Sequence, residues 1–282
     1  MYTHHCPDGL SQACAFQRTT HLAIGAHPDD LEFMAMHGIA HCYQKKDAWF
    51  SGIVCTDGRG SLRPKEQEGL SASEWVALRE AEQIDACEKG GYSFVQLLRF
   101  QSRSLDTSDA FQALVNLLRE RIEQCQPRIL YTHSPFDRHP THRSVFQATL
   151  EAIRSSTQLS SLEKAYGCEL WGSLDWLPEP QKIGLDHSDS LALAQALYNC
   201  YPSQIQGGKN YAQALQGRHQ ANATFRGHKR ADSARALSFA VDLSELIENP
   251  DLPLAHYYKN QVHRFEQSLF DPLTSCEPAD KR

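Results

Sequence analysis

The sequence is poor in several things that would each point to a particular class of protein. It has no excess of base: 28 Lys and Arg stand against 34 Asp and Glu, a formal net charge of −6. Without a basic footprint, a nucleic-acid or anionic-membrane partner is not expected. No apolar run approaches the roughly 18 residues that mark a membrane span. The nine cysteines (Cys6, Cys14, Cys42, Cys55, Cys87, Cys125, Cys168, Cys200 and Cys276) contain no Cys-x-x-Cys. Their odd number and wide spacing argue against a disulfide framework or a thiolate zinc site, so they read as reduced thiols of a cytoplasmic protein. The first 20 residues lack the basic and apolar regions of a signal peptide, and are expected to be a ragged leader.

A glycine-rich G-x-G-x-x-G is missing as well. The first strand-to-helix turn instead reads Gly25-Ala26-His27-Pro28-Asp29-Asp30. Its carboxylates would repel a pyrophosphate, which argues against a nucleotide-dependent dehydrogenase. No linker, repeat or low-complexity stretch divides the chain.

What is present is alternation. Of 282 residues, 41% are hydrophobic and 22% charged, the proportions of an ordinary globular chain with ample core. Strands are expected at His21–Ala26, Ala48–Thr56, around Tyr92–Leu98 and at Arg128–His133. Between them lie helical stretches over roughly Leu31–Lys45, Ser71–Gly91, Asp106–Pro127, and one opening at Pro140. Strand-helix alternation of this kind implies right-handed crossovers and a mostly parallel, Rossmann-like α/β sheet flanked by helices. After about residue 160 the pattern changes to a C-terminal elaboration. "AYGCELWGSLDWLP", "QKIGLDHS" and "ARALSFAVDL" look strand-like there, and "DSLALAQALYNCY" and Asn210–Gly227 look helical. The expected organisation is a leader at 1–20, one domain over 21–250 and a polar, poorly specified tail over 251–282.

Two clusters fall where strands end and helices begin, the place where such sheets bind ligands. The first is His27, Asp29 and Asp30. Either aspartate suits a plain helix N-terminus, where negative charge is favoured. Alternatively, His27 and Asp30 hold one metal and leave Asp29 beside it as a base. The second cluster is "THSPFDRHPTHRSV". Pro140 suits a first helical turn, which makes His139 a cap and sets His142 three residues on, on the same face. Together the clusters offer two imidazoles and a carboxylate with a coordination position left for water.

"AHPDDLE" (Ala26–Glu32) with "DRHPTH" (Asp137–His142) resembles the PIG-L/LmbE family of zinc-dependent N-deacetylases, whose signatures are A-H-P-D-D-x-E and H-P-D-H. "TDGRG" (Thr56–Gly60), "LREAE" (Leu78–Glu82) and "YPSQ" (Tyr201–Gln204) are similar to further family segments, and the likeness spans about residues 20–245. The resemblance implies that His27, Asp30 and His142 ligate Zn2+, with another divalent ion such as Fe2+ as the alternative. Asp29 would be the general base and His139 the oxyanion stabiliser or general acid. Arg79, Arg138 and Trp171 are the candidate substrate-binding residues.

The chain departs from the family pattern in places. Thr141 stands where the family more often has Asp, and Asp137 is the candidate substitute. Arg59 replaces the Glu of T-D-G-E, Met36-His37 replace paired glycines, and "LRFQSRSL" lacks an acidic residue found after the third strand. Trp171 and Trp176, with Asp175, either stack on a pyranose or pack a late strand. Lys209, Arg218 and His219 either approach a sugar or lie on a solvated helix face. The expected activity is removal of the N-acetyl group from a small N-acetylglucosamine-type sugar, a small-molecule partner, by a chain that is open to homo-oligomer formation. The alternatives are the same hydrolysis on a non-sugar acyl amide or glycosyl-thiol conjugate, and an inactive metal-binding descendant.

Overall fold

The computed structural model describes residues 2–206, 209–226 and 231–270. Cys276, the tail beyond residue 270 and part of the basic stretch (207–208 and 227–230) lie outside the described residues.

The continuous apolar runs of the sequence become central strands buried on both faces. Every residue of β2 (His21–Gly25) and β3 (Phe50–Thr56) is buried, as expected where helices cover both sides of a parallel sheet. With β1 (Thr3–His5), β4 (Phe94–Phe100), β5 (Ile129–His133), β6 (Lys164–Cys168), β7 (Ile183–Asp186) and β8 (Leu237–Asp242) they form one eight-stranded sheet. Its order is β1-β4-β3-β2-β5-β6-β8-β7. Strands β2 to β6 run parallel, while β1, β8 and β7 join by antiparallel pairing. The chain winds outward from β2 through β3 to β4, then returns to place β5 on the other side of β2. That reversal opens a crevice at the carboxyl ends of β2 and β5.

Local chemistry explains where the crossover helices start and stop. Helix Ala72–Lys89 opens with a capping box, in which Ser71 Oγ accepts the Glu74 N–H and the Ser71 N–H donates to the Glu74 carboxylate. Helix Ser108–Cys125 ends at Gln126 in the left-handed conformation (φ 47°). Helix Pro140–Arg154 begins with proline at its first position, directly after β5 and its loop. The expected helix over Leu31–Lys45 is two, Asp30–Met34 and Met36–Cys42, interrupted at Ala35 (φ −114°, ψ 24°). The second lays Gly38 against the Tyr131 ring, where an added Cβ would fall 2.6 Å from Cε2.

Three segments differ from the sequence reading. The leader carries β1, paired to β4, and helix Gln12–Gln17, whose Phe16 ring lies 4.8 Å from Phe94. A three-residue strand is too short for periodicity to register. "ELWGSLDWLP" is not strand. The buried Glu169 carboxylate accepts the N–H groups of Leu174 (2.9 Å) and Phe239 (3.0 Å) and the Asn222 amide (2.6 Å), which folds the segment into a loop. The tail contributes helix Leu254–Phe270, seated through Tyr257 and Tyr258 on Phe136. Among the described residues no helix is long and apolar enough to cross a membrane.

Between the Met36–Cys42 helix and the amino-terminal end of β2 lies a histidine group, at the opposite end of β2 from His27 and Asp30. His37 Nδ1 is 3.0 Å from Tyr131 Oη, and His21 stacks 4.8 Å from His41. Burial, reinforced by His41, lowers His21 to about 3 and His37 to about 4, from an ordinary 6.5. Between those values and 6.5 the unfolded chain binds protons that the folded one refuses. These groups therefore stabilise the fold above pH 6.5 and lose that contribution as pH falls towards 4. His37→Gln keeps a partner for Tyr131 but cannot titrate. In urea unfolding followed from pH 7 to 4, it should flatten the pH slope by up to about 1.4 kcal/mol per unit.

Candidate active site and metal centre

The turn after β2 sends two adjacent carboxylates in different directions. The Asp30 Oδ2 atom folds back over the strand end, accepting the N–H groups of Ala26 (3.1 Å) and His27 (2.7 Å). Asp29 adopts φ 101° and ψ −30°, a conformation that costs a non-glycine residue about 1–3 kcal/mol. Its N–H donates to Gln83 Oε1 (3.0 Å), and its Oδ2 accepts from Arg79 Nη2 (2.9 Å). The same Nη2 donates to the Pro28 carbonyl, and Nη1 donates to Ser61 Oγ (2.9 Å) and the Gly58 carbonyl (3.3 Å). Gly58 (φ 64°) has to be glycine, because an added Cβ would lie 2.8 Å from Arg79 Nη1. Neither aspartate acts as an ordinary side-chain N-cap: Asp29 caps nothing, and Asp30 bonds backwards into the turn.

The second cluster meets the first. His27 Nδ1, Asp30 Oδ2 and His142 Nε2 form a triangle with sides of 3.3, 3.4 and 3.2 Å. Four ligands arranged tetrahedrally at bonds of about 2.0–2.1 Å lie about 3.3 Å apart. The donor set and its spacing therefore fit a divalent cation. His133 Nε2 is also 3.3 Å from Asp30 Oδ2, but it accepts the Ala26 N–H at 2.9 Å, so its lone pair is spent. It serves as a platform instead, stacked 3.8 Å from the His142 ring. His139 lies on the other side, 4.6 Å from His142 and 4.9 Å from His27, and a ring nitrogen of His139 comes near theirs.

Asp137 holds this arrangement from behind. Its buried carboxylate meets His142 Nδ1 at 3.2 Å and accepts the N–H groups of His139 (2.8 Å) and Trp171 (3.1 Å). It thus orients the His142 imidazole, in the manner of a carboxylate behind a metal ligand, and does not replace Asp at position 141 as a partner for the His139 ring. Among the described residues the buried His139 Nδ1 has no partner, and Thr141 makes no hydrogen bond to it.

Electrostatics match the geometry. Burial penalises the Asp30 charge, but His142 and His133 outweigh it and hold the carboxyl well below its usual range. Burial pushes His142 down to about 4 and also lowers His139. A carboxylate with neutral imidazoles is the state that binds a cation without first releasing protons. Burial lifts Asp29 well above the usual carboxylate range; Arg79 opposes the rise and the neighbouring Asp30, Glu32 and Glu82 add to it.

Sequence reasoning missed the layer beneath. Gln83 donates to Glu32 (2.9 Å), which also accepts from Tyr92 (2.6 Å) and Tyr201. Glu82 accepts the Ser203 N–H (2.8 Å) and hydroxyl (2.5 Å). Gln83 stands one helical turn after Arg79 on the same face, which is the one signal in the sequence that could have exposed it.

His27, Asp29, Asp30 and His139 line a cavity of about 910 Å³, within the size of small-molecule sites. Arg79 reaches it, but its guanidinium is already engaged with Asp29. Arg138 is exposed and off the cavity, because its side chain leaves from the solvent face of the loop whose inner side holds Asp137. Trp171 lines the cavity, 6.2 Å from His139, whereas Trp176 packs on Phe136 and Phe265. Asp175 is exposed, 3.8 Å from Lys182. Lys209 and Arg218 line the cavity, but His219 is buried against His187 at 4.7 Å.

Comparison with known proteins agrees with this picture. Residues 22–153 match the family model described as PIG-L, GlcNAc-PI de-N-acetylase. A relative from Escherichia coli (strain K12), the uncharacterized deacetylase YaiS, is 28% identical over 159 residues, covering 55% of this chain and 80% of its own. Among solved structures, the N,N'-diacetylchitobiose deacetylase of Pyrococcus horikoshii superposes with a TM-score of 0.61 at 18% identity, over 86% of this chain and 90% of that one. GalB, the 4-carboxy-2-hydroxymuconate hydratase of Pseudomonas putida KT2440, gives 0.63 at 16%, over 80% and 96%. At such identities the likeness is one of fold. The likeness to the PIG-L family lies in residues 22–153, which hold the turn after β2 and the His139–His142 segment.

Proposed function

We propose that this protein is a zinc-dependent hydrolase that removes the acetyl group from a small N-acetylamino sugar of the N-acetylglucosamine type. The observation that carries the reading is the triangle of His27 Nδ1, Asp30 Oδ2 and His142 Nε2 with Asp29 beside it at the floor of the cavity. Zinc suits two imidazoles and one carboxylate. When bound, the cation supplies Lewis acidity that lets water ionise near neutral pH and polarises an acyl oxygen.

The chain's own residues do the remaining work. The Asp29 carboxylate takes a proton from the attacking water as oxygen bonds to the acyl carbon. It returns the proton to the nitrogen as the C–N bond breaks, giving acetate and a free amine. Its raised proton affinity favours this task, and Arg79 and Gln83 hold it in place. We therefore assign Arg79 to positioning Asp29 and not to contacting substrate. His139, neutral at pH 7, donates a hydrogen bond to the oxyanion of the tetrahedral intermediate. The Trp171 face suits a pyranose ring.

The test is release of acetate and amine from a panel of N-acetylated sugars and non-sugar amides. Turnover confined to the non-sugar amides would move the substrate class and keep the mechanism; turnover of none would refute it. His27→Ala and Asp30→Ala should lose bound metal and activity together, read by elemental analysis of the purified variants. Asp29→Asn should keep its metal while kcat falls about 10²–10⁴-fold, the worth of a general base. A wild-type rate would remove Asp29 from the reaction. His139→Ala should also retain metal, with kcat down about 10²–10³-fold; loss of metal would make it a ligand instead.

A further inference from the structure

Two guanidinium groups share one wall of the cavity, and only one of them is paired to a carboxylate. Thr56 pairs with Phe100, and the Asp57 N–H donates to the Phe100 carbonyl (3.0 Å), so the loops that follow β3 and β4 leave the sheet side by side. They bring Arg59 and Arg103 into the cavity lining. Arg59 is held from behind by the buried Asp57, which accepts its Nε–H (2.6 Å) and its backbone N–H (3.1 Å). Its two Nη groups have no partner among the described residues. Arg103 is exposed and has no hydrogen bond or ion pair among them.

On the facing flank the cations are occupied. Lys209 lies 5.2 Å over the Trp171 ring, and Arg218 donates to the Leu170 carbonyl. The carboxylates of the cavity lining are Asp29 and Asp30, both at the floor, the one engaged with Arg79 and the other with imidazoles. A chain of net charge −6 has thus inverted its sign locally. Two departures from the family pattern fall on this same wall: arginine at 59 where Glu is usual, and no acid in Leu98–Leu105, which ends β4 and opens the loop after it.

We infer that the substrate carries an anionic group, a phosphate or a carboxylate, remote from its acyl amide, and that Arg59 and Arg103 receive it. Guanidinium groups match both anions through paired N–H donors, and one already fixed by Asp57 loses little freedom on binding. The inference rests on reading the cavity as the site of amide hydrolysis.

To test it, kcat/KM is measured for N-acetylglucosamine, its 6-phosphate and an ether derivative bearing a carboxylate. Calorimetric binding of glucosamine and glucosamine 6-phosphate, the amines, provides a readout independent of turnover. At least one anionic substrate should exceed the neutral one by about tenfold, the worth of one charge-assisted pair. That ratio should fall towards one in Arg103→Glu, fall partly in Arg59→Gln, and shrink at high salt. The phosphate and carboxylate arms identify the anion. Equal kcat/KM for neutral and anionic substrates, or a ratio untouched by Arg103→Glu, would overturn the inference and leave the deacetylase reading intact. If nothing is hydrolysed, tighter binding of the phosphorylated amine that Arg103→Glu abolishes would support the anion site and sink the deacetylase reading. Equal binding, or none, would overturn the anion site in that case.

Discussion

A single carboxylate oxygen, Asp30 Oδ2, ties the centre of this molecule together. It caps the end of β2 through the N–H groups of Ala26 and His27, and stands 3.3–3.4 Å from imidazoles that arrive from the same turn, from β5 and from the helix after it. A buried carboxylate charge is expensive unless positive charge or hydrogen-bond donors meet it. The sheet order that puts β5 beside β2 is what brings those imidazoles within reach, so the fold builds the site around this one buried charge.

The strain at Asp29 follows from the same constraint. Two consecutive carboxylates cannot share a direction when one must face the imidazoles, and the left-handed turn at Asp29 separates them. The cost is met by helix Ala72–Lys89, whose Arg79 and Gln83 take the side chain and the backbone of Asp29. Gln83 then passes the constraint to Glu32, Tyr92 and Tyr201, so the geometry of the turn is anchored in the core. Gly58 completes the clamp by letting the loop after β3 close on Arg79. Functional residues held in sparsely populated backbone regions commonly depend on such support.

Much of this was legible in the residues themselves, for definite reasons. The unbroken apolar runs of β2, β3 and β5 could only be buried parallel strands, and Ser71 and Pro140 marked helix starts by their own chemistry. His27, Asp29, Asp30, His139 and His142 stood out because polar clusters end apolar strands. What stayed hidden depends on contacts between distant segments. Nothing local tells that Trp171 faces a cavity while Trp176 packs on Phe136, or that Glu169 folds a strand-like run into a loop by binding residues up to 70 positions away. Asp137 looked like a partner for His139, yet the turn of the helix delivers its carboxylate to His142. Arg79 reads as a cation for substrate until the ion pair with Asp29 is seen.

His27 Nδ1, Asp30 Oδ2 and His142 Nε2 converge where the two clusters meet, at a spacing that suits one cation. Anomalous diffraction from crystals grown with Zn2+, recorded on either side of the zinc edge, locates that ion without recourse to activity. The account predicts one strong peak within about 2.0–2.2 Å of His27 Nδ1, Asp30 Oδ2 and His142 Nε2. No peak there, or one centred on His133 with His27 left outside its reach, would contradict it.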